Sequence, residues 1–209
     1  MDSVNFTLYT NPMARTALSQ AELDDFRETL CENATRLFAE HGYEGVTMRA
    51  LATSLGCSPM TPYRYFKNKA EIFEAVRTSA LSRFADAQEE AVKDVTEPAE
   101  RLRALGHAYM RFATDEPHAY RIMFELERED RAASEGQEDL RGWKVMLGTV
   151  QGAVASGMMD GDPEIVAHLL WSAVHGLVAL HLSGQLTLGR SLEELMDALL
   201  EREVSRLNG

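Results

Sequence analysis

The chain has 209 residues, 45% of them hydrophobic and 26% charged, with 21 Lys/Arg against 33 Asp/Glu for a formal net charge of −12. Such a balance suits one or two soluble globular domains with a sizeable core, and its acidity excludes a general coat for nucleic acid while leaving room for one localised site. Cys31 and Cys57 offer neither a disulfide framework nor metal-ligand spacing, which fits a reducing cytoplasm.

In chain order, residues 1–18 have no basic n-region and no apolar h-region, so they read as a disordered arm and not as a secretory signal. Ser19-Gln20-Ala21-Glu22 is a capping box that opens a first helix running to about Glu40. Its apolar face is Leu23, Phe26, Leu30, Ala34, Leu37 and Phe38, and His41-Gly42 ends it. Thr47 caps a second helix with Met48, Leu51, Ala52 and Leu55 inward, and Gly56 supplies a left-handed C-terminal residue. Ser58-Pro59 opens a third helix ending near Phe66. Pro62 leaves two registers open: counted from Ser58 it deletes the first intrahelical bond, whereas with Thr61 as the cap it becomes the first helical residue.

Asn68-Lys69-Ala70-Glu71 is a second capping box and opens a long helix with the stripe Ile72, Phe73, Val76, Ala80, Phe84, Ala87 and Ala91. Glu97-Pro98 marks a boundary after it. Helices follow over about 98–114 and 117–127, then a charged loop at 128–138. Leu140, Trp143, Met146, Leu147 and Val150 define the next helix. Asp162-Pro163 starts one that is apolar nearly all round. Its stretch 165–182 is broken by His168, Ser172 and His175, and is expected to be too short and polar to span a bilayer. Ser191-Leu192-Glu193-Glu194 caps the last helix, with the stripe Leu192, Leu195, Leu199 and Leu200. With no period-2 strand, repeat or low-complexity tract, the pattern predicts an all-α protein: a helix-turn-helix domain over 19–70 and a helical domain over 71–209.

Charge is unevenly placed. From Gly45 to Ala70 the charged residues are Arg49, Arg64, Lys67 and Lys69, all basic, while residues 71–209 hold 14 Lys/Arg against 25 Asp/Glu. A polyanion is repelled by most of the chain and accepted at this window. A reading helix presents small or polar groups at its N-terminal end. Pro59, Met60, Thr61 and Arg64 are therefore candidates for base edges, with Pro59 and Met60 offering only apolar contact, for instance to a thymine methyl. Tyr63 and Tyr65 can donate to phosphates, and Lys69 sits with free amides at the start of the long helix. Thr47 and Arg49, at the start of the second helix, complete the set. The pattern alone also fits a helical hairpin that binds protein.

GYEGVTMRALATSLGCSPMTPYRYFKNKAEIF, with the first helix, resembles the DNA-binding domain of the TetR/AcrR family of transcriptional regulators over about residues 20–80. The resemblance implies DNA contacts from Pro59, Met60, Thr61, Tyr63 and Tyr65, with Lys69 and Arg49 outside the reading helix. Departures are Cys57 where Val is usual, Pro62 where Leu is usual and Tyr65 where His is frequent. PHAYRIMF at 117–124 and WSAVHGLVALHLSG at 171–184 resemble a ligand-binding domain with a Trp-His-Gly signature, here Trp171, His175 and Gly176. That implies a helical sensor domain whose last two helices dimerise.

No enzyme constellation is present: no phosphate-cradling Gly-rich loop, no nucleophile elbow and no Cys/His ligand set, so no enzyme activity, cofactor or metal is expected. His168 and His175 share a face with Trp171 but lack i,i+4 spacing or a third ligand, and are expected to be hydrogen-bonded. Tyr109, Phe112, Met123, Phe124, Trp143, Met146 and Trp171 form an aromatic and methionine set that reads either as plain core or as an apolar cavity with His107, Tyr109 and His175 orienting a ligand. The resemblance favours the cavity. The expectation is a bacterial cytoplasmic repressor that binds a palindromic operator on double-stranded DNA as a homodimer and is released by a small-molecule effector, with no membrane partner. Alternatives are an activator, a regulator without small-molecule control, and an all-α protein-interaction module.

Overall fold

The computed structural model describes residues 20–126 and 140–205. The arm at 1–18, the Ser19 cap and the loop at 128–138 lie outside the described residues. Those described form eight α-helices and one 3-10 turn, without a strand. They are α1 (Gln20–Gly45), α2 (Met48–Ser54), the 3-10 turn Pro62–Arg64, α3 (Lys69–Val92), α4 (Pro98–Asp115), α5 (Pro117–Phe124), α6 (Arg141–Ala155), α7 (Pro163–Leu182) and α8 (Leu192–Ser205).

Their starts are set by local chemistry. Thr47 accepts from the Ala50 amide, Asn68 from Glu71 and Asp162 from Glu164 and Ile165. Each removes one of the amide donors that a helix leaves unpaired. Ser191 and Glu194 cap each other reciprocally, a complete capping box. The second box differs by one residue, because Glu71 reaches back past Asn68 to the Lys67 amide at 2.6 Å. Pro98, Pro117 and Pro163 each occupy a first helical turn, where a missing N–H costs nothing.

Gly42 stands at φ 72° and breaks α1 one turn before its end. This folds Tyr43 back so that its ring lies 5.9 Å from Phe38 and 5.1 Å from Phe73. Around this point a small head core gathers Leu30, Ala34 and Phe38 of α1, Val46, Met48 and Leu51 at α2, Phe66, and Ile72, Phe73 and Val76 of α3. Ile122 of α5 completes it from the other half of the molecule and is fully buried.

A larger body core joins the lower part of α3 with α4 to α8. Two expected stripes shift here. Past Ala80 the buried face of α3 is Leu81, Phe84, Ala85, Gln88 and Val92, while Ala87 is exposed and Ala91 half-buried. On α8, Met196 is fully buried and Leu195 and Leu199 only half-buried.

By length and composition α7 is long and apolar enough to cross a membrane, contrary to the expectation drawn from the polar residues that interrupt it. In this fold it packs on α6 and α8 through Ala167, Leu170, Val174 and Val178. Ile165, Leu169, Trp171 and Leu180 face outward, with Leu169 66% exposed.

Candidate nucleic-acid interface and ligand cavity

The predicted helix over 58–66 is the main local correction. Pro62 has no N–H to give the Ser58 carbonyl, so the Thr61 amide takes that carbonyl at 2.8 Å in a tight turn. Helical pairing then survives only over Pro62–Arg64, with Thr61 in the cap position and Pro62 first in the turn. Thr61 makes no side-chain cap bond, which leaves its hydroxyl available. Ahead of it, the Gly56 φ of 63° lets the Cys57 amide reach the Ala52 carbonyl and close α2.

This geometry sorts the candidate residues. Pro59, Met60, Tyr63 and Arg64 are exposed on the turn, Met60 at 68%. Arg49 is exposed on the first turn of α2, next to Thr47, whose hydroxyl oxygen caps that helix. Thr61 is half-buried. Tyr65 is half-buried too and stacks on Phe26 with ring centroids 4.7 Å apart. Lys69 donates to the Tyr43 carbonyl at 2.8 Å and lies 4.1 Å from the Tyr43 ring centroid and 3.6 Å from Glu44. Its ammonium therefore fastens α3 to the end of α1 with one of its three protons. Arg27, which the sequence did not single out, lies over the Phe66 ring at 4.6 Å.

Lower in the molecule, α3 to α7, with Leu200 of α8, line a partly open cavity of about 520 Å³, within the range of small-molecule sites. Of the nine candidate ligand residues, Tyr109, Met123, Phe124, Trp143, Met146 and Trp171 line it. Phe112 instead packs edge-on against Phe84 at 5.2 Å. His107 points outward and meets Asp197 of α8 at 3.0 Å. His175 sits behind the wall, its Nδ1 2.9 Å from the Tyr109 hydroxyl and 2.7 Å from that of Tyr120. Burial pulls the His175 pKa below its ordinary value, opposed by the Glu125 carboxylate. Burial also pushes the Tyr109 phenol up to about 12. This histidine is thus a neutral tether for two buried tyrosines.

The sequence missed several lining groups: Arg77, Leu81 and Gln88 of α3, and His168 of α7. The signal was present for α3, where 77, 81, 84 and 88 fall on one helical face. His168 places its Nδ1 2.8 Å from the Glu164 carbonyl, which can only accept, so Nδ1 carries the proton. In the tautomer with its proton on Nδ1, Nε2 is the acceptor, and Trp143 packs on the ring at 4.3 Å. Among the described residues no group of three His, Cys, Asp or Glu is placed to hold a metal.

Cavity and head meet through α5. Met123 and Phe124 line the cavity, their neighbour Ile122 fills the head core, and Arg121 donates to the Ala39 carbonyl of α1 at 2.6 Å.

A helix-turn-helix head whose charged residues from 45 to 70 are all basic, joined by one long helix to a helical body, fits a DNA-binding transcriptional regulator. Residues 30–76 match the family described as bacterial regulatory proteins, tetR family, and residues 102–203 match the tetracyclin repressor-like C-terminal domain. The chain belongs to the TetR family. It is 28% identical over 102 residues to the transcriptional activator FasR of Mycolicibacterium smegmatis, covering 49% of this chain and 47% of that one. It is 38% identical over 69 residues to the transcriptional repressor AcnR of Corynebacterium diphtheriae, covering 33% and 36%. The chain thus spans about half or less of the length of these curated relatives. Among solved structures, FadR of Bacillus subtilis in complex with stearoyl-CoA superposes with a TM-score of 0.70 at 20% identity, over 85% of this chain and 97% of that one.

Proposed function

We propose that this regulator is a homodimeric, ligand-responsive repressor. Its division of labour falls near residue 70: the head reads DNA and residues 71–209 sense a ligand and dimerise. Met60, Thr61, Tyr63 and Arg64 meet base edges and the nearest phosphates, with Pro59 as an apolar contact. Arg49, Tyr65 and the remaining protons of Lys69 hold the flanking backbone beside Thr47. Phosphate contacts set affinity and base contacts set sequence.

The observation that carries the reading is α3 itself. Its first residue is Lys69, beside the reading turn, and its later turns form a wall of the cavity. A molecule that fills the cavity better in one tilt of α3 than in another shifts the head between two positions. A two-fold dimer places its two reading turns about 34–36 Å apart, and a change in that spacing ends simultaneous contact with a palindrome. That a protein of this fold holds stearoyl-CoA fits a ligand role for the cavity. Trp171 at its wall and His175 behind it are consistent with the ligand role that the Trp-His-Gly resemblance implies.

The test is fluorescence anisotropy with DNA from upstream of the chain's own gene, across a salt series. Lys69→Ala should weaken binding to every sequence and lower the salt slope by about one, while Thr61→Ala should cost about 1–3 kcal/mol on the operator and relax base choice at one position. Unchanged affinity and slope in Lys69→Ala would remove that phosphate contact. The FasR likeness keeps activation as the second reading. Transcription in vitro from the same promoter separates the two, since a repressor lowers the transcript and an activator raises it.

A further inference from the structure

The cavity wall contains one polar group that the protein leaves unanswered. Gln88, on the sixth turn of α3, is 4% exposed, and its side-chain oxygen Oε1 is buried without a hydrogen-bond partner. It lines the cavity. Its nearest cover is the backbone of α6: a Cβ built on Gly142 would stand 3.4 Å from Oε1. A buried acceptor with no donor keeps the cost of leaving water uncompensated, and such groups are few in native proteins. His168 adds a second acceptor, because its Nδ1 proton is committed to the Glu164 carbonyl. The described residues that line the cavity include no Asp or Glu, so a cation finds no counter-charge there.

We infer that the effector is an amphipathic molecule, not a cation, whose hydroxyl or N–H group donates to Gln88 Oε1 while its apolar body lies against Phe84, Phe124, Trp143 and Trp171. Gln88 is the specificity-determining residue of the site. The inference rests on the ligand reading above and adds the class of ligand. The donor removes the cost of the orphaned oxygen only in the bound state, so a molecule of equal size without a donor is rejected.

The test compares 1-decanol with methyl nonyl ether, which has the same heavy atoms and no donor. Both tryptophans of the chain, Trp143 and Trp171, line the cavity, so intrinsic tryptophan fluorescence reports its occupancy. The ether leaves water more readily than the alcohol, so any preference for decanol reflects the donor. The intact protein should bind decanol at least about tenfold more tightly than the ether. Gln88→Met, which keeps length and volume, should abolish or invert that ratio while holding or raising the thermal midpoint of the free protein. Gln88→Leu serves as the second variant and should do the same. Equal binding of the two probes to the intact protein, or an unchanged ratio in both variants, overturns the role of Gln88 while the cavity stands as a ligand site. Failure of both probes to alter fluorescence or midpoint overturns this inference and the ligand reading together.

Discussion

His175 illustrates how one half-buried ring can connect stability to pH. Its Nδ1 serves two tyrosine hydroxyls, and burial lowers its pKa from the ordinary 6.5. The folded protein therefore holds that proton less well than the unfolded chain does. Above about pH 6.5 neither state carries it, and the full contribution of the neutral network is present. As the pH falls through that value the unfolded state takes up the proton first and stability is lost. Thermal midpoints should thus decline between pH 7.5 and 5.5. His175→Phe should flatten that part of the decline, although its own midpoint is lower because two phenols lose their partner. A decline of the same slope in His175→Phe would place the pH sensitivity elsewhere.

At the scale of elements, α5 is the piece whose removal says most. It is only eight residues long, too short to be stable alone, and it is held by what lies on either side. Ile122→Ala should cost about 2–5 kcal/mol in urea unfolding, as for other fully buried aliphatic side chains. Because that side chain belongs to the head core, hydrogen exchange should rise in α1 and the upper part of α3 more than in α7. A uniform rise would mean that α5 supports the body alone. The same element shows what was legible in advance. Helix starts were readable because their signals are local: Thr47, Asn68, Asp162 and Ser191 cap within three residues, and the prolines mark first turns. The third helix misled because a Ser-Pro start looks sound until Pro62 withdraws the bond that would propagate it. The inward face of α3 was misread past Ala80 because alanines carry little periodic signal and an inward glutamine runs against the hydrophobic pattern. His107 was assigned to the cavity by composition, whereas its position on α4 turns it to Asp197. That Ile122 serves the head and not the body is a tertiary fact with no trace in local spacing.

For the whole molecule, the outward apolar face of α7 bears on assembly. Ile165, Leu169 and Leu180 are exposed on one side of α7, the kind of apolar surface that marks a protein–protein contact, and α8 packs on the same helix. Leu169→Glu should yield monomers by sedimentation at micromolar concentration, with helical circular dichroism retained because the side chain is 66% exposed. Operator affinity should fall by about 100-fold or more as the second half-site is lost. A clean monomer for the unaltered chain would refute the assembly outright. The rigidity of α3 has a further consequence, one of leverage. From Lys69 to Gln88 the helix runs about 28 Å at its ordinary rise per residue. A tilt of about 4° at the Gln88 end then carries the Lys69 end through about 2 Å, and two-fold symmetry makes that about 4 Å between paired heads, a tenth or so of one turn of B-DNA. The proposed sensor would therefore need almost no local rearrangement. Displacements smaller than a bond length around the cavity, magnified along one straight rod, are enough to put the two reading turns out of phase with the groove.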